Sequence, residues 1–459
     1  MPENCLNLNI EYSVLFYAMC ARRIPYMQIL ILFCFTITFA FGSRKRPRDE
    51  KLVWVTEHRA VYNIGVAENG RILERYNPAI VERHYGPWLA GMLGPLVEKD
   101  VNSTLFIPNV LVPREETSIL GLVRLGPSLA VSKQSVIYTV SDKPGVLIKY
   151  QANCIELEMQ AQLVQKPFLH PSVVEFAFTR RASRFGLAPK VVSLSPPVGL
   201  CDRKEGKCSF DLSEGDFAAC RAEPHSSLRY MIMERVRGSD LFSYKYDYTN
   251  ETVPFVTGVL IGEEMMRMIE QLHTRAKIVH GDIHLGNVMI QEITEESVKM
   301  QFIDFARSFE NNERPMGKLQ SNFWSTHQLF SPWELAGYYP AARDDVYRVV
   351  EGVARLINPP EYTEFLDFVT RIHPQMILAW KSKKNIFLIP RTSKSHPFTP
   401  YDPVERLEIH ASKRAEIRDL LEHVLSLVRG MKDDINATPP YAEIGEVFRK
   451  CRLLAASVL

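Results

Sequence analysis

Net charge is what this chain has least of, and the shortage excludes a class of partners. Its 459 residues carry 55 lysines and arginines against 53 aspartates and glutamates, a formal +2. The charge is dispersed, so nothing in it calls for nucleic acid. Tandem repeats and low-complexity tracts are absent, which excludes solenoid architectures. Long apolar runs are scarce: Met27 to Phe41 is uncharged over 15 residues, short of the about 20 that a spanning helix needs. Cysteine is sparse too, at eight. Cys201, Cys208 and Cys220 lie close together, but no second Cys pair or His pair at ligand spacing is nearby to suggest a metal cluster. What remains is 46% hydrophobic and 24% charged, ordinary globular composition with room for two or three core-bearing units.

The run Met27 to Phe41 follows Arg22 and Arg23 and ends in Ala40-Phe-Gly42-Ser43. A basic region, an apolar core and small residues at the end form the pattern of a secretory signal, with cleavage expected after Gly42. An uncleaved anchor is the alternative and would be the chain's only attachment to a membrane. Arg44-Lys-Arg-Pro-Arg48 places four positive charges after the run against two before it, which opposes a lumenal domain held by an anchor. The expected location is therefore the secretory lumen or outside the cell, with the cytoplasm as the alternative. An oxidising compartment would allow one disulfide among Cys201, Cys208 and Cys220. Asn102, Asn250 and Asn436 stand in glycosylation sequons, and three is near what chance gives at this length.

The chain is organised around Ile278-Val-His280-Gly-Asp282-Ile-His284-Leu-Gly-Asn287-Val-Met-Ile290, followed by Phe302-Ile-Asp304-Phe-Ala306. Val288 to Ile290 and Gln301 to Ile303 read as short strands, so a loop holding Asp282 and Asn287 leads into a hairpin that ends on Asp304. Phosphoryl transfer from a metal nucleotide needs this grouping. One carboxylate orients and deprotonates the attacking hydroxyl, while an asparagine and a second carboxylate hold Mg²⁺ on the phosphates.

These motifs resemble those of the protein-kinase-like superfamily, and the resemblance covers about Leu122 to Leu454. It implies an α+β, bilobal fold with a small, mainly β N-lobe and a larger helical C-lobe. The expected boundaries are 1–42 for the leader, 43–119 for a mostly helical N-terminal extension, 120–236 for the N-lobe and 237–459 for the C-lobe. The implied cofactors are ATP and Mg²⁺. Asp282 takes the place of the catalytic base, and Asn287 and Asp304 take the places of the metal ligands.

Upstream, period-two segments at Leu122 to Gly126, Ser135 to Val140 and Val146 to Tyr150 resemble the first kinase sheet. Lys149 stands where the family keeps its phosphate-pairing lysine. The segment from His170 resembles the C-helix, with Glu175 as the candidate partner of Lys149 and Glu158 as the alternative. The three loop glycines of the family become Ala130, Ser132 and Ser135, whose β-carbons stiffen a phosphate loop and suggest weaker nucleotide binding. Arg229 to Leu241 resembles the fifth strand and hinge, placing Glu234 at the adenine and Met233 along the approach. Glu263 to Leu272 has helical spacing and leads into the catalytic loop.

Downstream, Ser331-Pro-Trp-Glu334 stands for the end of an activation segment, and Asp345 is expected to accept hydrogen bonds from the catalytic-loop backbone. Pro439-Pro-Tyr441 looks like the last helix of the casein-kinase branch. An insert over 359–406 has no counterpart. Two departures bear on the acceptor. Gly281 replaces the arginine that reads activation-loop phosphorylation, and His284 replaces the lysine directed at the γ-phosphate. H-G-D-x-H-x-x-N is also the form found in aminoglycoside and choline phosphotransferases. Protein serine or threonine is the expected acceptor. A glycan or small molecule is one alternative, and a pseudokinase scaffold with weak nucleotide binding is the other.

Overall fold

A computed structural model of the chain describes residues 53–54, 62–66, 72–76, 78–99, 125–131, 135–152, 169–195, 197, 199–202, 207–208, 227–247, 253–311, 331–335, 340–358, 386–387, 402–431 and 438–457. The leader, Ser132, Glu158, Cys220, the three sequon asparagines and most of the 359–406 insert lie outside the described residues.

The extension opens with a three-stranded antiparallel sheet, β1 (Val53–Trp54), β2 (Tyr62–Val66) and β3 (Ile72–Tyr76). Two helices follow, α1 (Pro78–Tyr85) and α2 (Pro87–Lys99). The helices were expected, whereas the small sheet was not. Its signal was Asn69-Gly70 between two runs rich in β-branched and aromatic residues, the dipeptide of tight hairpins. Val81, Leu89, Ala90 and Leu93 are buried in the main core, so the helical pair is built into the same packed unit as the helices that follow.

The small lobe is an antiparallel sheet of β4 (Leu125–Val131), β5 (Ser135–Val140), β6 (Val146–Ala152), β7 (Val191–Leu194), β8 (Gly199–Asp202), β9 (Lys207–Cys208) and β10 (Ser227–Glu234). The order β4-β5-β6-β10-β8-β9 holds six of them, with β7 also on β10. Alternation sorts the side chains. Ile148, Tyr150, Tyr230 and Ile232 fill one small core, while Met231, Met233 and Leu194 face the main one. Helix α3 (Pro171–Ser183) crosses that second face. His170 caps it by accepting from the Ser172 amide, and Pro171 stands in its first turn, where a missing N–H costs nothing.

The larger lobe begins at β11 (Ser239–Asp240) and α4 (Leu241–Asp247), then α5 (Phe255–Thr274). β12 (Ile278–Val279) leads into the catalytic loop, a single 3₁₀ turn spans Leu285–Asn287, and β13 (Val288–Ile293) pairs with β14 (Val298–Phe302). β15 (Phe309–Glu310) returns to β12. The rest is α6 (Pro332–Leu335), α7 (Ala342–Ile357), α8 (Ala411–Gly430) and α9 (Tyr441–Ala456). α5 and α7 are the helical core, with Met265, Met266, Met268, Ile269, Val349, Val350 and Val353 buried to 1% or less.

Candidate active site

Three carboxylates and one lysine converge between the lobes. Lys149 leaves β6 on the face opposite Ile148 and Tyr150, so the pleat that buries its neighbours turns its amine into the cleft. Its Nζ donates to both carboxylate oxygens of Glu175, at 2.9 and 2.7 Å, and stands 3.5 Å from Asp304. Gln151, two residues along the same strand, accepts from Ser172 Oγ at 2.9 Å and ties the strand to the first turn of α3. Lys149 and Glu175 are thus brought together as the sequence suggested.

Both are buried. Burial pushes the Glu175 carboxyl up to about 7. Burial also pulls on Lys149, but Asp304 and Glu175 outweigh it and its net shift is upward. The two directions disagree about which charge state the pair prefers. An amine donating to both oxygens requires an ionised carboxylate, and that geometry favours the charged pair.

Asp304 follows β14 in the left-handed conformation, φ 61°, which aspartate tolerates better than most residues. Although 41% of its side chain is open, packed protein still desolvates the carboxylate. Lys149 above all, with the Ala306 amide, outweighs that desolvation and holds it below the usual carboxylate range. The Asn287 amide nitrogen donates to the Asp282 carbonyl at 2.9 Å. That contact orients the side chain and leaves Oδ1 as the atom for a hard cation. Asn287 and Asp304 together suit Mg²⁺, which takes one or two protein oxygens and completes its shell with phosphates and water.

The catalytic loop is held from beneath. Asp345, in the first turns of α7, accepts from the His280 amide at 2.7 Å and the Gly281 amide at 3.0 Å, as expected. Its Oδ2 also accepts from His273 Nε2 at 3.0 Å, and Tyr441 Oη closes the other ring nitrogen at 2.7 Å. His280 Nδ1 accepts from the Asp282 amide, so its Nε2 donates to the Ile303 carbonyl at 3.0 Å. Burial lowers its pKa, which keeps it neutral. His284 is likewise lowered by burial. Its Nδ1 accepts from the Gly286 amide, so the neutral ring carries its proton on Nε2.

Gly281 has a structural reason. It sits at φ 77°, and a Cβ there would lie 2.6 Å from the Arg307 carbonyl. An arginine at this position would be strained by the backbone as well as crowded. Arg307 Nη1 lies 3.4 Å from Asp282 Oδ1. No sequence motif pointed to Arg307, nor to Arg348. The latter donates to both oxygens of Glu334, at 2.6 and 2.7 Å, and pins the Ser331 to Glu334 segment to α7.

Not every expected residue reaches the cleft through its side chain. Glu234 ends β10 with its carboxylate on the Lys190 amide at 3.3 Å, and its own amide donates to the Lys190 carbonyl. Its side chain thus braces the hinge, and its carbonyl is the part left for a ligand. Ala130, in β4, and Ser135, at the start of β5, flank a hairpin tip whose residues 132–134 lie outside those described.

No protein-family profile matches the chain. No curated protein matches it either. Among solved structures, that of vaccinia related kinase 3 is similar at 13% identity and a TM-score of 0.47, over 76% of this chain and 91% of that one. By its own elements the fold is α+β and bilobal, a mainly β small lobe joined to a larger helical one, as the sequence suggested. A β lobe carrying Lys149, a helix carrying Glu175 and a loop-hairpin carrying Asp282, Asn287 and Asp304 meet in the order the sequence suggested. Among the described residues no helix is long and apolar enough to cross a membrane.

Proposed function

We propose that the chain transfers the γ-phosphoryl of Mg·ATP to a hydroxyl, with serine or threonine of a protein in the secretory pathway as the acceptor. The observation that carries the proposal is Lys149 bonded to both oxygens of Glu175 and 3.5 Å from Asp304, on the cleft that also holds Asp282 and Asn287. Lys149, held in place by Glu175, receives the α- and β-phosphates. Asn287 Oδ1 and the Asp304 carboxylate would hold Mg²⁺, which when bound would neutralise charge developing on the phosphates. Asp282 accepts the proton of the attacking hydroxyl, and His284 Nε2–H donates to a phosphoryl oxygen without adding charge. A protein acceptor is favoured over a glycan or small molecule by the resemblance of Ser331 to Glu334, pinned to α7 through Arg348, to the segment that closes a protein-kinase activation loop. A scaffold without activity would have no use for the base or the metal ligands.

The deciding experiment pairs transfer with binding. Asp282→Ala should lose on the order of 10²–10⁴-fold in transfer to a protein acceptor and keep its ATP affinity. Asp304→Asn should lose Mg²⁺-dependent ATP binding, because a neutral amide replaces the charged ligand. Wild type that binds ATP equally in EDTA, or transfers as well without Asp282, overturns the proposal.

A further inference from the structure

The helical pair of the N-terminal extension meets α3 and β15 through a closed set of contacts. Trp88, second residue of α2, has its ring 5.5 Å from that of Phe178 and the Arg181 guanidinium carbon 4.5 Å from its own centroid. Arg181 Nη1 pairs with Glu310 Oε1 at 3.2 Å, and Glu310 Oε2 accepts from the Trp88 amide at 2.9 Å. Each of the three residues touches the other two. Arg181 and Glu310 are largely buried, at 16% and 13% side-chain exposure, so solvent screens this pair less than a surface one. Gly86, at φ 101°, makes the approach: a Cβ there would stand 2.4 Å from Glu310 Cβ.

The elements joined are those that set the cleft. Phe178 and Arg181 lie one and two turns beyond Glu175 on α3. Glu310 lies six residues after Asp304, in a strand paired with β12 just before the catalytic loop, Ile278 opposite Glu310 and Val279 opposite Phe309. A helix that can rotate or slide against its sheet carries Glu175 toward or away from Lys149, and a small displacement is enough to break bonds of 2.7–2.9 Å.

We infer that Trp88, Arg181 and Glu310 form a positioning latch through which the N-terminal helical pair holds α3 in its Lys149-paired position and fixes the start of the segment after Asp304. The inference rests on the phosphotransferase reading of that site. The latch makes residues 78–99 part of the switch: whatever lifts Trp88 from Arg181 releases Glu175 and Asp304 together. None of the three residues touches a reacting atom, so their effect runs through geometry.

The full chain carries the test. Glu310→Gln keeps an acceptor for the Trp88 amide and removes the charge, Arg181→Gln removes the other, and Trp88→Phe keeps a ring beneath Arg181. Each charge variant should lower transfer about tenfold with the KM for ATP nearly unchanged. The double variant should be no worse than either single one, because both remove the same contact. Trp88→Leu should resemble the charge variants and Trp88→Phe should recover most of the rate. Amide hydrogen exchange supplies a readout independent of activity: residues 171–183 and 303–310 should lose protection while 441–456 keep theirs. Additive losses, or protection falling evenly through the chain, would show ordinary packing and overturn the latch. Wild type that transfers nothing would sink the phosphotransferase reading, and the exchange pattern would still decide the latch.

Discussion

Neither charge of the Lys149–Glu175 pair reaches water freely, which makes the pair dependent on both partners. Removing one leaves the other buried without compensation, at a typical cost of about 3–5 kcal/mol, whereas replacing both with apolar side chains of similar size is often neutral. Lys149→Met should therefore lower the urea midpoint markedly, and adding Glu175→Leu should restore most of it while transfer stays absent. A Lys149→Met chain as stable as wild type would mean that Glu175 simply takes up a proton, a route its raised pKa leaves open. At this scale much was legible: Lys149, Glu175, Asp282, Asn287 and Asp304 all come to one cleft because the chemistry restricts which residue types serve. Arg181, Arg307, Arg348 and Glu310 were not, since the partners described above lie 14 to 222 positions away along the chain and no local pattern marks them.

Between elements, the catalytic loop owes its shape to α7. Asp345 receives two backbone amides and the His273 ring, with Tyr441 of α9 behind it. Burial opposes its ionised form, but the hydrogen bond and charge of His273, then Arg348, outweigh burial and hold its pKa below 3.8. The sign follows. In acid the unfolded chain binds this proton more readily than the folded one, so the stability Asp345 contributes is present above 3.8 and is lost as pH falls through the lower folded value. Asp345→Asn should remove that component. Near neutral pH it should cost about 1.5–3 kcal/mol, the range for a hydrogen bond to a charged group, and its stability should fall less steeply with acid than that of wild type. Denaturant midpoints from pH 7 to pH 2.5 would check it, and parallel curves would mean that Asp345 carries no special charge. The hydrogen bonds to Asp345 were foreseen only through the family resemblance, in which Arg343-Asp-Asp345 stands at the start of the corresponding helix. The β1–β3 sheet and α8 were not: the strands are too short to show a period, and α8 lies outside the motifs although Ile417, Leu421, Val424, Leu425 and Val428 stand at helical spacing.

At the scale of the whole molecule, the cysteine-bearing segment after β7 offers the sharper test of where the protein resides. β8 and β9 form a short antiparallel hairpin in which Cys201 stands directly opposite Cys208. Residues facing each other across such a pair have α-carbons about 4.5–5.5 Å apart, within the span that a disulfide bridges. A link here would close a loop of few residues. It would stabilise the hairpin modestly and form readily in an oxidising lumen, whereas a reducing cytosol would keep both thiols free. Of the three clustered cysteines, Cys201 and Cys208 are therefore the pair we propose to be bonded, on the further proposal that Met27 to Phe41 directs the chain into the secretory pathway. Peptide mapping of the protein from its native cells under non-reducing conditions, with N-terminal sequencing of the same sample, should find a Cys201–Cys208 link and a new N-terminus near Ser43. Free, alkylatable thiols at both positions together with an N-terminus at Met1 or Met27 would place the protein in the cytosol and remove the secretory part of the proposed function, leaving the cleft chemistry untouched.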